Sequence, residues 1–364
     1  MAAFKPSWMA GSFPHLFSKS EAPSIVDRLL TTPVFALGYG GQFAVMIFFV
    51  LSGYVLSLPA HNATNPHSLL CRRLAGRYFR LNLPVIAAVL LSFALYYSGF
   101  YHNAEIGHYL ENSWLSRHLS TDFNFLTAIE HGIYGAIFLG NSAFNPPLWT
   151  IHIEFIGSVL LLVSCLFRPV LKVVLMLIML FCIFKVASPW FIFYLAIFSG
   201  AFLDVIKTGS KLILWVSLLV GLYFGAYQYE NNAYLFLPAT PFDDRLAYNF
   251  IGAVGLVYSV KNGVLSSLFS SSLAQFLGKI SYSVYITHFL VLLSFSCWSF
   301  MAFEANEVGL WLHLTLYVSL SVSLGYVFYR LVDLPSVVVS KKISILIVKS
   351  LSVLTFRISN QTRY

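Results

Sequence analysis

Charged residues are scarce in this chain of 364 residues: only 10% are Asp, Glu, Lys or Arg, whereas 58% are hydrophobic and 17% aromatic. A water-soluble domain of this length cannot bury so much apolar surface, so the composition excludes an ordinary soluble protein. Strand-like alternation of apolar and polar residues is also lacking, which argues against a membrane barrel. We therefore expect an all-α, polytopic membrane helix bundle, in which every helix satisfies its own backbone hydrogen bonds.

Several chemical signatures are absent as well. The four cysteines lack paired spacing, and the His and acidic residues within 101–131 lack the spacing of a defined site, so neither disulfides nor a metal are expected. No P-loop, G-x-G-x-x-G or G-x-S-x-G motif occurs, which argues against an ATP-driven pump, a dinucleotide enzyme and an elbow-type hydrolase. Membrane topology and contact with membrane lipids account for the net charge of +8, so no nucleic acid is expected as a partner.

Apolar runs divide the chain into about nine transmembrane helices, since a span needs roughly 20 helical residues. The runs are 38–58, 81–101, 148–167, 170–187, 190–206, 211–229, 246–261, 281–300 and 309–330. They predict one transmembrane domain over 38–335. It follows an extracytoplasmic N-terminal segment, 1–37, and precedes a cytoplasmic basic tail, 336–364.

Connections that are rich in Lys and Arg alternate with connections that are poor in them along this series of spans, as the positive-inside rule requires. The rich connections include 72–80 and the C-terminus, whereas 101–131 holds Arg117 alone. This pattern predicts a cytoplasmic arginine cluster, a cytoplasmic C-terminus and an external N-terminus. Residues 1–37 contain no uninterrupted apolar helix and no secretory signal, so we expect a preceding helix to be missing.

Four arginines, Arg72, Arg73, Arg77 and Arg80, precede the second apolar run. Arg73, Arg77 and Arg80 stand at i, i+4 and i+7, so they share one face of a helix. Guanidinium groups on one face suit phosphates or carboxylates. The alternative is a topology anchor that contacts lipid headgroups, and this cluster alone leaves both interpretations open.

Two ionisable residues lie inside apolar runs. Glu154 stands about 10 Å below the outer end of its helix, and a charge at such a depth indicates function unless another helix pairs with it. His288 stands seven residues after Ser281, with Tyr285 between them at i+4, so the three form a polar stripe on one helix face. The alternative for an intramembrane His is a hydrogen-bonded packing residue.

Four separated segments carry a further signal. They are 48–54 (Phe-Phe-Val-Leu-Ser-Gly-Tyr), Arg77-x-x-Arg80 leading to Pro84, 147–150 (Pro-Leu-Trp-Thr) with Glu154, and 278–285 (Gly-Lys-Ile-Ser-Tyr-Ser-Val-Tyr) followed by His288. Each is weak alone, but in this order and at these separations they resemble the acyltransferase 3 family of membrane proteins. The resemblance implies about ten helices and transfer of an acyl group from cytoplasmic acyl-CoA to a hydroxyl.

The resemblance also implies a role for each matching position. The candidates for catalysis are Glu154 and His288, and those for binding substrate are Trp149, Ser281, Tyr282 and Tyr285. Arg77 and Arg80 match the family's arginine pair on the acyl-CoA side, and Arg73, which shares their helix face, is the third candidate for binding acyl-CoA. The implied donor is acyl-CoA, with acetyl-CoA expected, and no cofactor is permanently bound. The implied acceptor is a sugar, polysaccharide or lipid-linked glycan. Cytoplasmic arginines and Glu154 in the outer half would then receive donor and acceptor from opposite sides.

One part of the family pattern has no match. Family members begin with a helix reading approximately Leu-Arg-Gly, followed by a His thought to be the catalytic base, whereas His15 lies outside any apolar run. We therefore expect an O-acyltransferase of a bacterial cytoplasmic (inner) membrane that is truncated or inactive as written. The alternatives are a non-catalytic paralogue and a proton-coupled carrier or exporter that uses Glu154 and His288 as a relay.

Overall fold

The computed structural model describes residues 32–62, 66–109, 113–118, 124–186, 188–229, 231–302 and 307–361. Within these ranges the chain is almost entirely helical and contains no strand. The expectation of an all-α membrane helix bundle is thus confirmed. Most of the predicted N-terminal segment, including His15, lies outside the described residues.

Eleven helices of twelve or more residues, numbered in chain order, run through the described residues. They are α1 Gly41–Asn62, α2 Pro66–Tyr97, α3 Phe125–Leu139, α4 Trp149–Ser164, α5 Pro169–Val186, α6 Phe191–Phe202, α7 Lys211–Gly225, α8 Asp244–Lys261, α9 Ser272–Val291, α10 Glu307–Phe328 and α11 Leu334–Gln361. Shorter α-helices are Pro33–Tyr39, Asn103–Tyr109, Ser113–Ser116, Ser266–Phe269 and Cys297–Ala302, and the 3₁₀ turns are Pro146–Leu148, Ser188–Trp190 and Asn232–Tyr234.

Each of the nine predicted spans coincides with one of these helices. In the part of the chain that is described, five stretches are long and apolar enough to cross a membrane, and α3, α6 and α7 are shorter apolar helices. The five are Gly41–Leu58, Ser68–Tyr97, Pro146–Ser164, Pro169–Val186 and Ser272–Phe300. This length and composition are what a lipid bilayer requires of a helical protein.

The largest difference from the predicted spans is in α2, which begins at Pro66 rather than at 81. The four arginines therefore lie inside a helix of 32 residues instead of a connection before it. A search for apolar runs stops at charged residues, whereas a helix continues through arginine because arginine is a good helix former. The arginines are consequently part of a helix of the membrane domain.

Three short π-helical segments interrupt the regular helices: His131–Gly135 inside α3, Leu292–Ser296 after α9 and Tyr329–Asp333 between α10 and α11. A π segment inserts an extra residue, redirects the side chains beside it and often occurs at functional sites. The last one joins α10 to α11 without a loop. Most of the predicted tail, 336–364, is therefore helical, and α11 packs along α2.

Helix α4 lies at the centre of the bundle. Its residue Ile153 belongs to a buried cluster that includes Phe49 of α1, while Ile151 belongs to a second cluster with Val85 of α2 and Ile286 of α9. Ten of the 16 residues of α4 are buried, but only one of the 18 in α5. A helix that is apolar all round and mostly exposed suits lipid contact, so α5 lies at the periphery and α4 inside.

Candidate active site

Glu154 is a buried carboxylate near the middle of α4, with 4% of its surface exposed. Its Oε1 accepts a hydrogen bond from Arg77 Nη2 at 2.6 Å, and the Ser52 hydroxyl lies 3.5 Å from the same oxygen. Its other oxygen, Oε2, is buried and has no hydrogen-bond partner among the described residues. A carboxylate fixed through one oxygen retains a second oxygen that can accept a proton from a bound group.

Arg77 is held on α4 by two contacts. Besides the ion pair with Glu154, its Nε donates to the Ser158 hydroxyl at 2.8 Å. Ser158 is one turn after Glu154 on the same face of α4, so the planar guanidinium spans both partners. The side chains of Arg77 and Glu154 are 14% and 6% exposed. This pair joins α2 to α4 deep in the bundle.

Close packing of α1 against α6 directs Ser52 toward this pair. A Cβ on Gly53 would lie 1.8 Å from the carbonyl oxygen of Ile197, and one on Gly200 would lie 1.9 Å from that of Val50. Only glycine permits two helix backbones to approach so closely, as is common among membrane helices. The Ser-Gly pair of the first family segment thus combines a hydrogen-bonding residue with the packing residue that orients it.

A second ion pair lies three residues further along α2. Arg80 Nη1 is 2.5 Å from Asp333 Oδ1, and the hydroxyl of Ser283 donates to Asp333 Oδ2 at 3.3 Å. The guanidinium carbon of Arg80 lies 5.4 Å from the centre of the Tyr282 ring, within cation–π range. Asp333 is 2% exposed and ends the last π segment. This pair joins α2 to α9 and to the start of α11.

The two tyrosines predicted to bind substrate lie close to these ion pairs. The Tyr285 hydroxyl is 2.8 Å from the hydroxyl of Thr150, which precedes Glu154 by one turn on the same face of α4. The Tyr282 hydroxyl donates to the carbonyl oxygen of Leu81 at 3.0 Å. Helix α9 therefore contacts the start of α4 and the 3₁₀ turn Pro146–Leu148 before it.

Two other predicted substrate residues lie elsewhere. Trp149 packs against Trp190 and Phe193, with ring centres 5.3 and 5.2 Å apart, and so faces α6. Ser281 is exposed and donates to the carbonyl oxygen of Gly278 on its own helix at 2.9 Å. Neither side chain contacts an ion pair through a described hydrogen bond.

The structure does not bring His288 to Glu154. Its Nδ1 lies 2.6 Å from the carbonyl oxygen of Tyr285, one turn back on α9. At this level α9 contacts the segment before α4, because Asn145 donates to the carbonyl oxygen of Ile286 at 2.7 Å. Glu154 lies nine residues further along the chain, about 13 Å at the rise of a helix.

Arg77 and Glu154 meet, although the sequence predicted them toward opposite faces of the membrane. Helix α4 begins inside the protein: Phe144 and Leu148 are 1% exposed, and Ser92 donates to the carbonyl oxygen of Phe144 at 2.5 Å. Helix α2 continues beyond this level, and Arg77 lies 20 residues before its end at Tyr97. That distance is about 30 Å, a full hydrocarbon thickness, so Glu154 belongs to the arginine end of the bundle.

A cavity of about 390 Å³ lies between α2 and α11 beside the two ion pairs. Its basic lining residues are Arg72, Arg73, Arg77, Arg80 and Lys341, and its other lining residues are Leu56, Leu69, Gly76, Ser340, Ser344 and Ile345. No carboxylate is among these lining residues. Its size lies within the range of small-molecule sites, and its charge suits an anion such as a phosphate.

Known proteins identify the kind of enzyme to which this arrangement belongs. A family model described as an acyltransferase domain matches residues 12–330. The chain belongs to the acyltransferase 3 family. It is also similar to Acyltransferase R4 from Phoma sp. (strain ATCC 20986 / MF5453), with 24% identity over 338 residues that cover 74% of this chain and 71% of that protein. No solved structure matches the chain.

This membrane acyltransferase carries two of its ionic groups beyond the matched region. Arg77, Arg80 and Glu154 lie within residues 12–330, whereas Asp333 and Lys341 follow it. Sequence reasoning missed Asp333. An isolated acidic residue at the end of a long apolar run was the available signal, because such a residue requires a partner when it is buried.

Proposed function

We propose that this membrane acyltransferase moves an acyl group, acetyl in the simplest case, from acyl-CoA to a hydroxyl of a sugar, polysaccharide or lipid-linked glycan. One observation carries the proposal: Arg77 lines the basic cavity and also donates a hydrogen bond to the buried Glu154. A donor with a phosphorylated carrier and a reactive thioester requires an anion site beside a reactive group. Family membership favours an enzyme over a proton-coupled carrier.

The cavity supports binding of the donor's phosphates. Arg77 and Arg80 are engaged by internal carboxylates. Among the described residues, Arg72, Arg73 and Lys341 have no ion pair, and they add three positive charges to the lining. Phosphates bound to these three would extend the pantetheine arm toward Arg77. Of the three arginines predicted to bind acyl-CoA, Arg73 then contacts phosphate, while Arg77 and Arg80 form the inner wall.

Glu154 supports the chemical step in this proposal. The acceptor hydroxyl gives its proton to Glu154 Oε2 as its oxygen attacks the thioester carbonyl. The carbon–sulfur bond breaks, the ester forms, and the proton passes to the CoA thiolate that leaves. Arg77 orients the carboxylate and adds positive charge near the developing oxyanion. Arg77 donates a hydrogen bond to the Ser158 hydroxyl, and the Ser52 hydroxyl donates one to Glu154, so the geometry of this pair is fixed in advance.

The acceptor would approach along the face of α4 that Thr150 and Tyr285 share. Tyr282 and Tyr285 would line this path, His288 would stand at its outer end, and Trp149 would support α4 from behind. Ser281 has no part in it. The arginine end would face the cytoplasm of an inner-membrane protein, where acyl-CoA is made, which agrees with the excess of basic residues on that side.

The test uses the full chain in lipid nanodiscs with labelled acetyl-CoA and a set of lipid-linked glycans. We expect release of CoA together with label in a base-labile ester, and loss of both in Arg77→Ala and Glu154→Gln. Lys342→Ala, which alters a charge outside the cavity lining, serves as the matched control. Proton-coupled solute uptake into vesicles without release of CoA would overturn the proposal.

A further inference from the structure

Helix α11 forms one wall of the basic cavity although it lies beyond the region matched by the family model, which ends at residue 330. It packs closely on α2: a Cβ on Gly76 would lie 3.3 Å from the Cβ of Ser344 and 3.4 Å from the carbonyl oxygen of Ser340. Both serines are buried, at 7% and 6% exposure. Small residues on both helices thus hold this wall close to the arginines.

The charges on the two walls face the same space. Helix α2 contributes Arg72 and Arg73, and α11 contributes Lys341. The next residue, Lys342, is also exposed but does not line the cavity, because consecutive residues on a helix point about 100° apart. Cations from two helices converge on one space without a lining carboxylate to neutralise them.

We infer that Lys341 binds a phosphate of the acyl-CoA nucleotide, together with Arg72 and Arg73, and so contributes to donor specificity from outside the family domain. The inference rests on the proposed function. Coenzyme A carries a diphosphate and a ribose phosphate, so cations on two opposite walls can hold one end of it from both sides. An anionic lipid headgroup offers the same phosphate chemistry, and the test separates the two sources.

The test measures CoA binding to the full chain in nanodiscs of neutral lipid, by isothermal titration. Lys341→Ala should weaken the Kd for CoA about fivefold, the upper end for an ion pair between exposed groups. Lys341→Arg should bind nearly as wild type, and Lys342→Ala should be unchanged. Pantetheine, which lacks the phosphates, should bind equally to wild type and Lys341→Ala.

Each contrary outcome overturns a different statement. Equal CoA affinity in wild type and Lys341→Ala would remove Lys341 from the donor site while leaving the proposed function intact. An equal loss for CoA and pantetheine would mean that Lys341 acts on the fold instead of on phosphate. The same titration is repeated in nanodiscs that contain anionic lipid. If wild type and Lys341→Ala differ in CoA affinity only in those nanodiscs, the occupant is a lipid headgroup. Failure of the wild-type protein to bind CoA would contradict the proposed function itself.

Discussion

The two ion pairs, whose arginines stand three residues apart on α2, differ in how many hydrogen bonds their carboxylates accept. Asp333 uses both of its oxygens, one with Arg80 and one with Ser283. Glu154 uses Oε1 with Arg77, and its Oε2 is buried without a partner among the described residues. A fully bonded buried carboxylate ties helices together, whereas one with an unused oxygen bears a cost that a bound substrate can relieve. The contrast assigns structure to Asp333 and chemistry to Glu154.

Glu154→Gln provides the largest expected effect. The substitution keeps the size of the side chain but removes the basic oxygen, so acyl transfer should fall about 10²- to 10⁴-fold, as is usual for loss of a general base. The rate is measured as CoA released per folded protein. Asp333→Asn is the matched control, and an equal loss of rate in that variant would erase the distinction between the two pairs.

Asp333→Ala should have the larger effect on stability. It leaves the Arg80 guanidinium, whose side chain is 32% exposed, without its carboxylate, and leaving such a partly buried group without its partner costs about 1–3 kcal/mol. We expect a lower melting temperature and a smaller folded fraction, measured by thermal unfolding in detergent. In the double variant Arg80→Met/Asp333→Leu, most of the stability should return, since no unpaired charge remains. A double variant as unstable as Asp333→Ala would contradict this account.

Ser158 contacts the first ion pair and Ser283 the second, and replacing either serine should have a smaller effect than replacing a carboxylate. Ser158→Ala removes one of two contacts that hold Arg77, so we expect about a fivefold loss in kcat/KM, which corresponds to about 1 kcal/mol. Ser283→Ala removes a contact to Asp333 and should lower the melting temperature with an unchanged kcat/KM. Reversed results would mean that Asp333 carries the chemistry.

Ser281→Ala is expected to have the smallest effect. The sequence pattern placed Ser281 among the substrate-binding residues, but its side chain is exposed and bonds within its own helix. Both the rate and the melting temperature should stay within experimental error of wild type, as for most exposed substitutions. Tyr285→Phe is the informative partner, because its lost hydroxyl contacts Thr150 beside Glu154. A rate for Ser281→Ala below that of Tyr285→Phe would support the prediction from the sequence that Ser281 binds substrate.

Much of the fold could be predicted because a membrane imposes simple rules on composition. All nine predicted spans coincide with helices, and the family resemblance is confirmed. The start of α2 could not be found in this way, because a search for apolar runs ends where arginine begins. The depth of Glu154 was misjudged for a related reason: Pro147 and Trp149 resemble a helix start at the membrane surface, yet α4 begins inside the bundle.

In the candidate site, too, some features could be predicted from the sequence and others could not. Glu154 stood out because charge within an apolar run is rare and costly, and Arg77 stood out because it belongs to a cluster of arginines that share one helix face. Their contact did not, because the two residues are 77 positions apart and on different helices. His288 was a weaker candidate, and its hydrogen bonds are with its own helix. Residue type and depth indicate candidates, whereas only the packing of helices shows which of them meet.

Composition and periodicity by themselves determined that this protein is a helical membrane protein and that a charge inside a span, such as Glu154, requires a partner. Local residue types suffice for that, because the hydrophobic thickness of the membrane and the cost of buried charge act on each helix separately. Four motifs in a fixed order indicated the acyltransferase 3 family. Tertiary structure alone decided that Arg77 pairs with Glu154 and Arg80 with Asp333, and that α11 forms a wall of the basic cavity. Those contacts depend on the rotation and depth at which helices pack, and close approaches such as that at Gly53 establish both.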